Sequence, residues 1–156
     1  MPVDRLDARI IRLFADEPRV GVLEASRRLG VARGTVQARL ERLQREGVVT
    51  GYGPDLDPTA LGFTVTAFAT LEIRQGHGHQ AVAEHLGRIP EVLEVYTITG
   101  AADMFCRVVA RSNADLQRVI DLVVAAPGIE RTSTVVALAT QVHYRVLPLL
   151  QAVATD

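Results

Sequence analysis

The sequence predicts an α+β fold in two domains, an N-terminal winged helix-turn-helix followed by a C-terminal ferredoxin-like βαββαβ sandwich. Three observations carry the prediction. Apolar residues recur at helical spacing up to Tyr52 and are interrupted by a Gly turn; a stretch rich in Pro and Asp then breaks every periodicity; beyond it strand-like alternation appears, in strand–helix–strand units. The implied boundaries are residues 1–52, a linker over 53–62, and 63–156.

In the first domain, Asp4 caps a helix with Asp7 three positions on, and Leu6, Ile10, Leu13 and Phe14 recur on one face before Asp16-Glu17-Pro18 ends it. This is a helix over about 4–16. Val22, Leu23, Ala25, Ser26 and Leu29 mark a short second helix closed by Gly30, a residue free to adopt the left-handed turn that swings the chain into a third. In the third, Val36, Leu40, Leu43 and Gly47 share one stripe, with Gly34, Ala38, Glu41 and Arg45 opposite. Helix, helix, tight turn, helix is the helix-turn-helix order, and Val48, Val49, Thr50 and Tyr52 are suited to a short wing strand.

The charge follows the same division. Through Tyr52 ten Arg stand against seven acids, a net +3, while the remainder carries seven Arg and eleven acids, a net −4. With no Lys among the 156 residues, every fixed cation is a guanidinium able to grip a phosphate through two hydrogen bonds. The cations cluster on and beside the third helix, at Arg33, Arg39, Arg42 and Arg45, with Thr35 and Gln37 between them. Those six are the candidate contacts to double-stranded DNA: small Gly34 and Ala38 admit the helix to a major groove, Arg33, Thr35 and Gln37 reach base edges, Arg42 and Arg45 anchor phosphates, and Arg39 braces the fold.

After the linker, Phe63, Val65, Ala67, Ala69, Leu71 and Ile73 alternate with Thr64, Thr66, Thr70 and Glu72 as a strand with one buried face, and Phe68 is the one large apolar residue on the other. A helix over about 80–89 buries Val82, Leu86 and Ile89. A strand runs to Thr99, a tight turn occupies Gly100–Asp103, and a strand covers 104–110. Ser112 and Asp115 box the start of a helix carrying Leu116, Val119, Ile120, Val123 and Val124, and Pro127-Gly128 leads into a strand over 129–139. Helices on one face of such a sheet leave the other open, which predicts a homodimer. The apolar tail, 141–150, is expected to add a strand and turn at a subunit contact.

The chain resembles the Lrp/AsnC family of feast/famine transcriptional regulators over nearly its whole length. The matching stretches are LDARII in the first helix, LGVARGTVQARLERLQREGVVTGY from Leu29 to Tyr52, Leu56-Asp57-Pro58 with Leu61-Gly62, the turn Thr99-Gly100-Ala101-Ala102-Asp103, and Pro127-Gly128-Ile129 before Thr132 and Thr134. The resemblance implies a DNA-binding regulator, dimeric through its second domain and assembled into octamers, that answers to a small effector, most often an amino acid. It further implies an effector pocket lined by the turn, whose N–H groups hold a carboxylate while Asp103 pairs with an ammonium group, with Thr132 and Thr134 as further polar contacts. One departure is Ala32, which stands where the family has a Ser or Thr cap and forgoes about 1 kcal/mol.

The remaining features point away from other classes. One Cys, Cys106, excludes an internal disulfide and reads as a core thiol; no leader or apolar run near membrane length occurs, so the cytoplasm is the expected compartment. No nucleophile–His–carboxylate set, phosphate loop or paired carboxylates appear, so no enzyme and no cofactor is expected. Two alternatives stand beside the leading reading: a metal-responsive regulator using His77, His79 and His85, and a small dimeric ferredoxin-like enzyme.

Overall fold

A computed structural model describes residues 3–74, 76 and 78–153. They fall into two compact units, one built from the chain up to Asp55 together with residues from Val142 onward, the other from Leu56–Gln141.

The first unit holds α1 (Arg5–Asp16), α2 (Val22–Leu29) and α3 (Arg33–Arg45). The Asp4/Asp7 capping box forms as expected, each carboxylate accepting from the other residue's backbone N–H. Gly30 closes α2 at φ 71°, and the amide of Val31 reaches back to the Ser26 carbonyl at 3.1 Å, so the chain reverses within a few residues. Ile10, Ala25, Val36 and Leu40 form the buried centre, with Leu6, Leu13, Phe14 and Leu29 packed against it. Burying one such aliphatic side chain contributes about 1.5–3 kcal/mol, so the α1–α3 contact is held mainly by these few residues.

Two local expectations fail. The segment 48–52 is bend and irregular chain, not a strand: among the described residues no strand pairs with it, and the rings of Tyr52 and Phe14 pack edge-on with centroids 6.5 Å apart. The tail likewise forms no strand; it is irregular from Val142 and ends in the short α6 (Leu149–Val153). Its contacts lie with the first unit rather than with the sandwich it follows in sequence. There Leu147 and Leu150, with Ile11 and Phe14 of α1, line an apolar cavity of about 540 Å³.

In the second unit, β1 (Val65–Ile73), α4 (His79–Leu86), β2 (Val92–Thr97), β3 (Met104–Ala110), α5 (Asn113–Val124) and β4 (Ile129–Ala137) give the βαββαβ order. The sheet runs β2-β3-β1-β4, antiparallel throughout. Ala67, Ala69 and Leu71 of β1 lie opposite Val108, Cys106 and Met104 of β3, and these six form the buried face, covered by Val82 and Leu86 of α4 and Val119 and Val123 of α5. The opposite face carries Phe68 stacked on Phe105, centroids 5.5 Å apart, beside Tyr96, which is half exposed. The linker is itself ordered at its end: the Asp57 carboxylate accepts from the Thr59 amide and Phe63 N–H donates to the Pro58 carbonyl, which sets the entry into β1.

Candidate functional site

The third helix presents the expected faces. Val36, Leu40 and Leu43 are buried, while Arg33, Gly34, Gln37, Ala38, Glu41 and Arg45 are exposed and Thr35 is half-buried. Ala32 makes no side-chain cap, and the Thr35 and Val36 amides turn back to its carbonyl. The Gln37 side-chain amide donates to Glu41 at 2.7 Å, one turn along the outward face.

Two of the six candidate DNA contacts are engaged elsewhere. The Arg39 guanidinium donates to both Asp4 and Asp7, the latter at 2.8 Å, and Arg42 donates to the second Asp7 oxygen. Asp7 is wholly buried, and the side chains of Arg39 and Arg42 are 27% and 19% exposed. Arg42, expected as a phosphate anchor, is held in this structure on the flank of α3 by a carboxylate buried on α1, and Arg39 ties the two helices together through Asp4 and Asp7. The Arg39 hydrogen bond also keeps the Asp4 carboxyl below its ordinary range, and the two acids raise Arg39 in turn. Arg33 and Arg45 have no ion pair among the described residues, so they remain the open cations of this face. The role of Asp7 had one sequence signal, a carboxylate in the apolar stripe three residues before Ile10 and seven before Phe14.

The effector candidates lie at one end of the sheet. Gly100 adopts φ 125° in the β2–β3 connection, Ile98 N–H donates to the Asp103 carbonyl, and among the described residues the amides of Gly100, Ala101 and Ala102 have no intrachain acceptor. Asp103 is less available than expected, because its Oδ2 accepts from the Ile73 amide at 2.6 Å and its own N–H donates to Leu71, pinning the turn to the end of β1. Thr132 is paired with Leu71 from the other side of β1, and Thr134 with Ala69, so both point to the helix-covered face. The Thr132 hydroxyl is buried there without a hydrogen-bond partner. Thr99 is exposed beside the turn.

Of the three candidate metal ligands, His77 lies outside the described residues. His79 opens α4 exposed, and His85 on the same helix contacts the Leu122 carbonyl at 2.9 Å through Nε2, tying α4 to α5. Among the described residues no three His, Cys, Asp or Glu gather to hold a metal. Cys106 is buried in the sheet, and burial pushes its thiol up from the ordinary range. No helix among the described residues is long and apolar enough to cross a membrane.

A helix-turn-helix with an exposed cationic third helix, joined to an antiparallel βαββαβ unit with an exposed, pinned turn, defines a two-domain DNA-binding regulator. Comparison with known proteins agrees: residues 3–50 match the winged helix-turn-helix DNA-binding family and residues 66–147 the Lrp/AsnC ligand binding domain. The HTH-type transcriptional regulator FL11 of Pyrococcus horikoshii is 31% identical over 149 residues, covering 96% of this chain and 98% of its own length. Regulatory protein AsnC of Escherichia coli K12 is 28% identical over 147 residues, covering 94% and 97%. The structure of E. coli AsnC is similar with a TM-score of 0.87 at 27% identity, over 95% of this chain and all of that one. A feast or famine regulatory protein from M. tuberculosis, complexed with L-methionine, has a TM-score of 0.81 at 26% identity, over 92% and 97%. The chain belongs to the Lrp/AsnC family and is a DNA-binding transcriptional regulator.

Proposed function

We propose that this regulator responds to an amino acid bound at the turn Thr99–Asp103, and that it meets DNA through Arg33, Thr35, Gln37 and Arg45. The observation that carries the effector reading is the row of amides at Gly100, Ala101 and Ala102 that have no acceptor among the described residues, a donor set suited to a carboxylate. The M. tuberculosis relative described as complexed with L-methionine supports the ligand class. Because one Asp103 oxygen already serves Ile73, the turn's N–H groups rather than that carboxylate supply most of the recognition, and the unpartnered Thr132 hydroxyl is a further donor at the same end of the sheet.

The open sheet face with Phe68, Phe105 and Tyr96 supports a homodimer, which sets two recognition helices at a fixed spacing, and the octamer of the family reading is a further assembly of such dimers. The cytoplasm is the compartment in which such a protein meets both DNA and free amino acids.

Thermal unfolding measured against each of the twenty amino acids tests the effector reading. A ligand at a hundred times its Kd stabilises the folded protein by about 2.7 kcal/mol, a readily measured rise. At least one amino acid should raise the transition in the wild type and lose that effect in Gly100→Ala, where a side chain would strain the φ 125° turn. No shift from any of the twenty would refute the reading.

A further inference from the structure

We propose that Asp7, which is wholly buried, is a specificity-determining residue: it withholds Arg42 from the phosphate backbone and fixes α3 against α1, holding down sequence-independent binding. The proposal rests on the reading that α3 contacts DNA. Its basis is an asymmetry within the clamp. Arg39 has two carboxylates, Asp4 and Asp7, whereas among the described residues Asp7 is the one acid that holds Arg42. The Arg42 Nε is buried without a partner, so this guanidinium is drawn inward with its hydrogen-bonding capacity only partly met. Such a side chain stays in place only while the Asp7 oxygen opposite it accepts its hydrogen bond.

Where Arg42 would go follows from the helix itself. At 3.6 residues per turn it lies about 55° from the centre of the outward face, next to Thr35, whereas Arg39 lies roughly 65° from the centre of the buried one. Released from Asp7, Arg42 swings onto the outward face that carries Arg45 and adds a phosphate contact. Contacts of that kind strengthen binding to every sequence alike, while the loosened tie between α1 and α3 degrades the alignment that base reading needs. Asp7 therefore acts through Arg42 as a positioning residue.

The test compares D7N with D16N, an exposed α1 substitution that changes net charge equally, on two duplexes: one enriched from a random library by the wild type, and one of random sequence. For D7N, folded by circular dichroism, the salt slope on random DNA should steepen by about 0.9 per recognition helix, an extra loss of about 2.7-fold for each threefold rise in salt. Its ratio of selected to random affinity should fall, and adding R42Q to D7N should return the slope to the wild-type value. Slope and ratio in D7N equal to those of D16N would overturn the proposal. R42Q alone keeps the question open to refutation if D7N fails to fold: a withheld Arg42 predicts an unchanged slope on random DNA, and a slope reduced by about 0.9 would show that Arg42 already touches phosphate. A separate R33A/R45A variant with unaltered binding would instead remove the α3 reading beneath the proposal.

Discussion

Replacing Arg33 and Arg45 by Ala removes the two open cations of α3 and leaves its packing intact. Both side chains are exposed, and neither has an ion pair among the described residues, so each change should move stability by about 0.5 kcal/mol or less. On DNA the effect should be large. Loss of the Arg45 phosphate contact alone flattens the dependence of log Kd on log salt by about 0.9 per recognition helix, so the variant loses at least about 2.7-fold less affinity than the wild type over a threefold rise in salt. Fluorescence anisotropy with a labelled random-sequence duplex, at several salt concentrations, reads this directly. The companion R39A should behave in the opposite way. Asp7 and Asp4 lose a shared partner, and breaking a buried pair costs about 3–5 kcal/mol, reduced here because Arg39 keeps 27% exposure. A steep wild-type slope that survives in R33A/R45A, or an R39A variant as stable as the wild type, would refute the division of the arginines into open contacts and braces.

Further outcomes follow from other parts of the fold. The Asp4 carboxyl sits below its ordinary value of 3.8 in the folded protein, so its contribution is present at neutral pH and is lost as pH falls through the folded value; Asp4→Asn should flatten the acid limb of a stability–pH curve below about pH 4, by about 1 kcal/mol or less because the side chain is 48% exposed. Cys106, buried with its thiol raised, should resist alkylation at pH 8 until the sandwich unfolds, and rapid labelling of the native protein would contradict its placement. Gly30→Ala meets no neighbouring atom, so its penalty should be backbone strain alone, about 1–2 kcal/mol by thermal or chemical unfolding. A neutral result would mean that the α2–α3 turn is not held in the left-handed conformation.

The periodic elements were legible because their signals are local. The stripe Val36, Leu40 and Leu43, the alternation Ala67, Ala69 and Leu71, the Asp4 cap and the Gly30 turn each depend on residues within a few positions, and the structure forms them; of the expected Ser112/Asp115 box only the Ser112 cap forms, because the Asp115 carboxylate accepts from the Arg111 amide instead of the Ser112 amide. The expected wing strand and tail strand do not form because a strand exists only when another segment pairs with it, and β-forming residues at 48–52 and in the tail carry no statement about a partner.

By itself, then, the sequence determined the two-domain α+β order, the inward and outward faces of its helices and strands, and the family those patterns belong to. The tertiary structure alone decided which side chains remain available. Arg42 and Arg45 look alike in the sequence, three residues apart on one helix, but Asp7, 35 residues before Arg42, engages one of them and not the other. Asp103 looks open in its turn until the amide of Ile73, 30 residues earlier, takes one of its oxygens. Charge and spacing are local properties, whereas a hydrogen-bond partner is set by which distant segments the core brings together, and that packing determines which charges DNA or an effector can reach.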